Sequence, residues 1–180
     1  MEFPPFFIVF FTVYFLGQGT GELYIKSSVS DLSDTVNLID AYYYNPNTLT
    51  SSQTINISNL PTNFKCKFKV NVVDASVLNT AWLEVGSNNN NCLLFGNTGS
   101  YKTIGIFVKV NGSYVVSDSR NDVLPINNWQ ELTYIYNNGV HTLTDGINTI
   151  TLNNSQITAR DYVYFRNETN QIKEILFLPL

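Results

Sequence analysis

Few side chains in this sequence are of types that could support covalent or acid–base catalysis. The chain has one histidine, His141, and two cysteines, Cys66 and Cys92. A serine or cysteine nucleophile needs a base within hydrogen-bond reach, and no Gly-x-Ser-x-Gly turn is present to expose a serine. His141 shares a face of its strand-like run with Leu143, which favours packing over catalysis. We therefore expect no catalytic residue.

The same residues offer no metal site. Cys66 lies on the apolar side of an alternating run, where a thiol behaves as a small hydrophobic group, and two buried free thiols are favoured over a disulfide. Asp118, Asn121 and Asp122 are the best local approach to a calcium loop, although a solvated loop is the favoured reading. We expect neither a metal ion nor a cofactor.

Aromatic and amide side chains are the types that could bind a ligand. An exposed ring can stack on the apolar face of a sugar while amides bind its hydroxyl groups. Most of the rings are expected to fill the core, including those of Trp82 and Trp129. The candidate ligand-binding residues are Tyr42, Tyr44, Trp82, Asn89, Asn90, Tyr101 and Tyr114.

Composition limits the kind of molecule that carries these residues. The chain has 180 residues and a net charge of −4, with 44% hydrophobic, 14% aromatic and only 13% charged residues. A mildly acidic chain without a cluster of Lys and Arg has no electrostatic footprint for nucleic acid, so that class of partner is excluded. The length suits one well-buried domain, which we assign to residues 23–180.

Twelve strand-like runs follow one another between turn signals. No helical period is sustained, so the pattern predicts antiparallel sheets stacked as a β-sandwich. Asn111-Gly112, Asn138-Gly139 and Asp145-Gly146 are each expected to form a tight hairpin turn with positive φ at both central residues. The runs are residues 36–44, 54–57, 64–73, 81–86, 92–96, 102–110, 113–117, 129–137, 140–144, 147–152, 161–166 and 171–178.

The order "NNWQELTYIYNNGVHTLTDGINTITL", "YVYFRN" and "IKEILFL" resembles the second half of concanavalin A-like lectin and glucanase domains, which include laminin-G-like modules. Trp129, Gly139, Asp145 and Gly146 occupy the family's motif positions. The resemblance implies a jelly-roll fold from about residue 35 onward and carbohydrate binding as a function. Glucanases of this fold carry Glu-x-Asp-x-x-Glu, whereas Glu84 has no acidic residue two or five positions on.

The apolar segment 1–22 is open to three interpretations. Its 14 residues from Phe3 to Leu16 would span roughly 21 Å as a helix, short of the roughly 30 Å hydrocarbon core, so membrane insertion is disfavoured. A cleaved signal peptide fits in length, but Glu2 replaces the expected basic flank. We favour an anchoring segment covered by another subunit or another copy of the chain, through Phe6, Phe7, Phe10, Phe11, Tyr14 and Phe15.

These observations favour a non-enzymatic recognition or structural module on a virion or an extracellular or cell surface. The most specific hypothesis is a phage-like fibre, spike or decoration protein whose lectin-like domain binds host-surface glycan. The alternatives are a secreted carbohydrate-binding lectin or adhesin with a cleaved signal peptide, and a degenerate glycoside hydrolase.

Overall fold

The computed structural model describes residues 41–57, 60–73, 80–98, 102–157, 159–167 and 169–180. These residues form two six-stranded antiparallel sheets that pack as a sandwich and contain no helix, which confirms the predicted all-β jelly-roll architecture. The described ranges accordingly include no helix that could cross a membrane. The predicted anchoring segment 1–22, with Phe6, Phe7, Phe10, Phe11, Tyr14 and Phe15, lies outside the described residues.

Each sheet combines a run of consecutive strands with strands from distant parts of the chain. The first sheet has the order β1-β12-β3-β8-β9-β10 and the second has the order β2-β11-β4-β5-β6-β7. The strands are β1 (Tyr43–Asn45), β2 (Gln53–Thr54), β3 (Phe64–Asn71), β4 (Ala81–Asn88), β5 (Asn91–Asn97), β6 (Ile104–Val110), β7 (Ser113–Arg120), β8 (Trp129–Asn137), β9 (Val140–Thr144), β10 (Thr149–Asn153), β11 (Tyr162–Asn167) and β12 (Gln171–Pro179).

Alternating side chains build the core between the sheets. In β3 every second residue is buried, and its lysines occupy the other side of the strand. Phe95 of β5 and Tyr134 of β8 meet across the sandwich with ring centroids 3.8 Å apart and an interplanar angle of 6°. The inward faces of both sheets therefore form one continuous hydrophobic core, as the alternation predicted.

Two of the three predicted tight turns are confirmed. Asn111 and Gly112 have φ values of 49° and 80°, and Asn138 and Gly139 have 48° and 85°. These are the positive values that a type I′ hairpin turn requires at both central residues.

The third turn differs from the prediction. Gly146 has a φ of 95°, but Asp145 is not among the residues with positive φ. Its Oδ1 accepts hydrogen bonds from the backbone N–H groups of Ile147 and Asn148, at 2.8 and 2.6 Å. The side chain thus stabilises a wider loop, β10 begins at Thr149, and Ile147 is 91% exposed.

The single histidine is a buried structural residue. His141 Nε2 lies 2.7 Å from the carbonyl oxygen of Asn154, and Nδ1 lies 2.8 Å from the Tyr134 hydroxyl. A neutral ring that donates from Nε2 and accepts at Nδ1 satisfies both partners. The expected packing role of His141 is confirmed.

This environment predicts a stability loss in mild acid. Burial lowers the pKa of His141 below its ordinary value of 6.5, and the positive charge of Arg160 acts in the same direction. The unfolded chain therefore binds a proton near pH 6.5 while the folded chain still resists it. The stabilisation that comes from keeping this ring neutral is complete above pH 6.5 and is lost as the pH falls toward the lowered pKa of the folded state.

We expect the free energy of unfolding of the unaltered protein to decrease between about pH 7 and about pH 5.5. The free energy of unfolding of His141→Gln should decrease less over the same interval. Urea unfolding at each pH measures both proteins. An identical decrease in the variant would assign the effect to other groups.

Both cysteines are buried and free, as expected. The carboxylates of the possible calcium loop are each paired with a cation, because Asp118 lies 3.4 Å from Arg120 and Asp122 lies 2.8 Å from Lys102. In the part of the chain that the structure describes, no three His, Cys, Asp or Glu side chains form a metal-binding group.

Candidate functional site

The outer face of the second sheet carries an unusual set of aromatic and charged side chains. In β4, Leu83 and Val85 point into the core, so Trp82 and Glu84 project from the other side. In β11, the core residues Val163 and Phe165 alternate with Tyr162, Tyr164 and Arg166. Strand alternation therefore places all five outward-facing residues on one surface.

Strand register brings these residues into contact although they lie far apart in the sequence. Arg166 is directly opposite Trp82, and Tyr164 is directly opposite Glu84. Side chains in such cross-strand pairs lie close enough to interact. We call Trp82, Glu84, Tyr162, Tyr164 and Arg166 the Glu84 cluster.

Glu84 is the centre of this cluster. One carboxylate oxygen accepts hydrogen bonds from Arg166 Nε at 2.7 Å and from Trp82 Nε1 at 3.1 Å. The other accepts a hydrogen bond from the Tyr162 hydroxyl at 3.1 Å. Glu84 is only 2% exposed, so three donors replace the water that its charge would otherwise bind.

The charge of Glu84 affects its neighbours. Its hydrogen bond with Arg166 raises the pKa of that guanidinium. Burial, followed by the negative charge of Glu84, raises the pKa of the Tyr162 hydroxyl above its usual range. The same two causes raise the pKa of Cys92, which is on the outward side of β5, to about 12. Arg166 therefore stays charged at neutral pH, while Tyr162 and Cys92 stay neutral.

Three planar groups are arranged side by side along β11. The rings of Tyr162 and Tyr164 are parallel within 4°, with centroids 6.0 Å apart. Arg166 Cζ lies 5.4 Å from the centroid of Tyr164. The guanidinium is therefore held between its hydrogen bond to Glu84 and the ring of Tyr164, an arrangement that suits recognition of a planar ligand group.

The sheet beside Trp82 has little side-chain volume. The positions in register beyond it, on β5 and β6, are Gly96 and Gly105. A Cβ atom at Gly105 would come within 2.7 Å of the Phe107 ring, so this ring occupies the space that a side chain at position 105 would need. The indole of Trp82 is consequently only half-buried, bordered by glycine backbone on one side and Arg166 on the other.

The structure distributes the predicted ligand-binding residues over several places. Trp82 belongs to the Glu84 cluster. Tyr114 is 61% exposed on the same sheet, where its ring contacts Phe107 edge-on at 5.7 Å. Asn89 and Asn90 form the exposed turn between β4 and β5, and the carbonyl of Asn90 accepts a hydrogen bond from Gly112 of the neighbouring turn.

The other three predicted ligand-binding residues are not placed on the second sheet. Tyr44 pairs with Leu176 in the first sheet, and Tyr42 precedes it with a backbone hydrogen bond to Phe177. These two tyrosines are therefore on the opposite sheet from Trp82. Tyr101 lies outside the described residues.

The expectation that both tryptophans fill the core is wrong. Trp82 and Trp129 are each half-buried and project from the outer faces of different sheets. Lys173 Nζ lies 4.4 Å from the centroid of the Trp129 ring, so this ring makes a cation–π contact instead of packing between the sheets. The core positions of β4 and β8 are occupied by other residues, such as Leu83 and Leu132.

The sequence analysis did not identify Glu84, Tyr162, Tyr164 and Arg166 as members of a candidate site. Glu84 was tested only for a second carboxylate, whereas its partners are an arginine, a tyrosine and a tryptophan. The available signal was the alternation in "WLE" and "YVYFR", which puts aromatic and charged residues on one side of each strand.

No family model and no curated protein matches the sequence. Solved structures do match the fold. CG-16, a homodimeric agglutinin from chicken liver, aligns with a TM-score of 0.56 and 13% identity over 71% of this chain and 99% of its own. The carbohydrate-binding module CBM66 from Bacillus subtilis aligns with a TM-score of 0.57 and 12% identity over 72% of this chain and 83% of its own.

An enzyme contains a similar domain. A β-fructofuranosidase from Aspergillus kawachii aligns with a TM-score of 0.54 and 12% identity over 84% of this chain but only 29% of its own. At these identities the likeness concerns the fold and not the activity. Together with the two-sheet topology described above, these matches show that the chain has the concanavalin A-like jelly-roll fold.

Proposed function

We propose that this chain is a non-enzymatic carbohydrate-binding module whose site is the Glu84 cluster. The observation that supports this proposal is the cross-strand register, which brings Trp82, Tyr164 and Arg166 together around one buried carboxylate on an outer sheet face. Half-buried rings offer flat apolar surface to a sugar ring, and fixed polar groups beside them can bind hydroxyl or charged substituents.

The environment of Glu84 argues against hydrolysis at this face. A glycosidase needs two carboxyl groups about 5–10 Å apart, one of which donates or accepts a proton during the reaction. Glu84 is held by three donors, namely Trp82, Tyr162 and Arg166, so its oxygens are committed to the protein. Such a carboxylate orients its neighbours and is a poor nucleophile or proton donor.

The structural matches support the same class of function. One is an agglutinin and another a carbohydrate-binding module, and each is matched over most of its own length. These activities belong to those proteins, and the residues of this chain give an independent reason to look for a sugar at the second sheet.

We expect Trp82→Ala to weaken glycan binding by about tenfold or more, because the variant loses the apolar surface on which a sugar can stack. The matched control is Trp129→Ala, which removes an equally large, half-buried ring from the first sheet and should leave affinity within about twofold. A glycan array identifies the ligand, and calorimetric titration measures all three proteins.

Both variants must first show thermal unfolding close to that of the unaltered protein. Binding that survives Trp82→Ala but is lost in Trp129→Ala or Tyr44→Ala would move the site to the first sheet. If the unaltered protein binds no glycan on the array, carbohydrate binding as the function would be contradicted.

The setting of this binding is a second part of the proposal. A charge-poor sandwich preceded by the apolar segment 1–22 suits a virion or extracellular surface, where the segment would join other subunits or copies of the chain. N-terminal sequencing of the native protein tests this assignment. Cleavage near Gly19 would contradict the anchoring role and favour the secreted lectin.

A further inference from the structure

Arg166 presents an unused hydrogen-bonding edge to the solvent. A guanidinium has five N–H donors, and Nε of Arg166 is engaged by Glu84 at 2.7 Å. Among the residues that the structure describes, neither terminal nitrogen of Arg166 has a hydrogen-bond partner. Its side chain is 36% exposed, so this edge is accessible.

The arginine is also fixed in place before any ligand arrives. Glu84 holds Nε from the protein side, and the Tyr164 ring lies 5.4 Å from Cζ. A long side chain that is already ordered loses less conformational freedom on binding than a solvated one. The free edge of two parallel N–H pairs has the geometry that recognises a planar carboxylate through two hydrogen bonds.

Glu84 cannot take the complementary role of accepting from sugar hydroxyls. Its two oxygens already accept three hydrogen bonds from the protein, and its side chain is only 3% exposed, so a sugar hydroxyl cannot reach it. The cluster therefore presents hydrogen-bond donors and aromatic ring surface to a ligand, whereas its one carboxylate is buried. This imbalance favours a ligand that brings its own negative charge.

Resting on the proposed function, we propose that the Glu84 cluster selects saccharides bearing a single carboxylate, such as a terminal uronic or sialic acid. The carboxylate pairs with the terminal nitrogens of Arg166, and the sugar ring lies against Trp82, directly opposite on β4. The chain's net charge of −4 disfavours a polyanion, whose many charges would meet repulsion beyond this one arginine.

The test uses pairs of ligands that differ only at the carboxyl group. The full-length protein is titrated with the methyl glycosides of glucuronic, galacturonic and N-acetylneuraminic acid, each paired with its carboxyl methyl ester. We expect the affinity for at least one acid to exceed that for its ester by about tenfold or more. The reason is that only the acid can form two charge-assisted hydrogen bonds with the guanidinium. Higher ionic strength should narrow this difference.

Arg166→Lys tests the residue. It keeps the positive charge but removes the planar fork, so the preference for acid over ester should fall by about fivefold or more. Lys109→Met is the control on the same face, because this lysine lies against Tyr114 with Nζ 5.8 Å from the ring centroid. If Arg166→Lys does not fold, the comparison of acids with esters in the unaltered protein still decides the proposal.

The outcomes separate this proposal from the broader one. Equal binding of acids and esters, or tight binding of neutral glycans alone, would overturn the acidic selectivity while leaving carbohydrate binding intact. Tighter binding of a sulfated monosaccharide or of heparin than of every acid would also overturn carboxylate selection. Failure of all glycans to bind would remove the proposed function itself.

Discussion

Phe95→Ala should lower the free energy of unfolding by about 3–5 kcal/mol, the largest effect we expect from one substitution in this chain. Phe95 is fully buried, and its ring stacks on Tyr134 with centroids 3.8 Å apart. It also contacts Phe68 at 6.1 Å. Because Phe95 and Tyr134 belong to different sheets, the substitution removes a contact that joins the two halves of the sandwich, and the rigid sheets cannot close the cavity.

Chemical denaturation of Phe95→Ala and Tyr114→Ala provides the comparison. Tyr114 is a ring of similar size on the same sheet, but it is 61% exposed, so its loss should change stability by less than about 1 kcal/mol. A loss below about 2 kcal/mol for Phe95→Ala would mean that the two sheets are joined mainly elsewhere.

The fold was predictable because its signals are local. Alternation in "FKCKFKV" defines β3 without knowledge of its neighbours, and the Asn138-Gly139 pair fixes where β8 and β9 meet. The predicted bounds of β8 and β9 match the structure for the same reason. The pairing of β12 with both β1 and β3 could not be derived, since it depends on packing between segments distant in sequence.

The Asp145-Gly146 turn shows where local reading fails. The dipeptide is compatible with a tight hairpin, but Asn148 follows three residues later and its amide nitrogen donates to Asp145 Oδ2 at 2.9 Å. With its side chain satisfying nearby N–H groups, Asp145 closes a four-residue loop instead. The outcome depends on competition between side-chain and backbone hydrogen bonds, which the dipeptide alone does not reveal.

The site was harder to predict than the fold because its parts are remote. Glu84 and Arg166 are 82 positions apart, and only the antiparallel register of β4 with β11 brings them together. Alternation tells which residues share a face but not whether that face is inward. Trp82 was misplaced on this account, since the outer face of the second sheet also carries apolar residues such as Leu94 and Phe107.

Arg166→Met should destabilise the fold by about 2–3 kcal/mol, because it leaves a buried carboxylate without its cation. Glu84 is 2% exposed and would retain only the neutral donors of Trp82 and Tyr162. The expected cost is smaller than for a wholly buried pair, since Arg166 itself is 36% exposed and water screens part of the attraction. Urea unfolding at neutral pH measures the loss.

A more exposed ion pair supplies the control. Lys69 and Glu174 lie 2.6 Å apart on the first sheet, but both side chains are 35% exposed. Lys69→Met should therefore cost no more than about 1 kcal/mol. Equal losses for Arg166→Met and Lys69→Met would show that burial of Glu84 adds nothing to its dependence on arginine.

The double variant Arg166→Met/Glu84→Gln separates charge from packing. A glutamine at this position is neutral, can still accept from Trp82, and no longer needs a cation, so the double variant should recover at least about 1 kcal/mol relative to Arg166→Met alone. That recovery would show that Arg166 stabilises the fold mainly by neutralising the buried carboxylate of Glu84. Without recovery, the arginine would stabilise the sheet through its contact with the Tyr164 ring, and the Glu84 cluster would be a packing feature with no electrostatic centre.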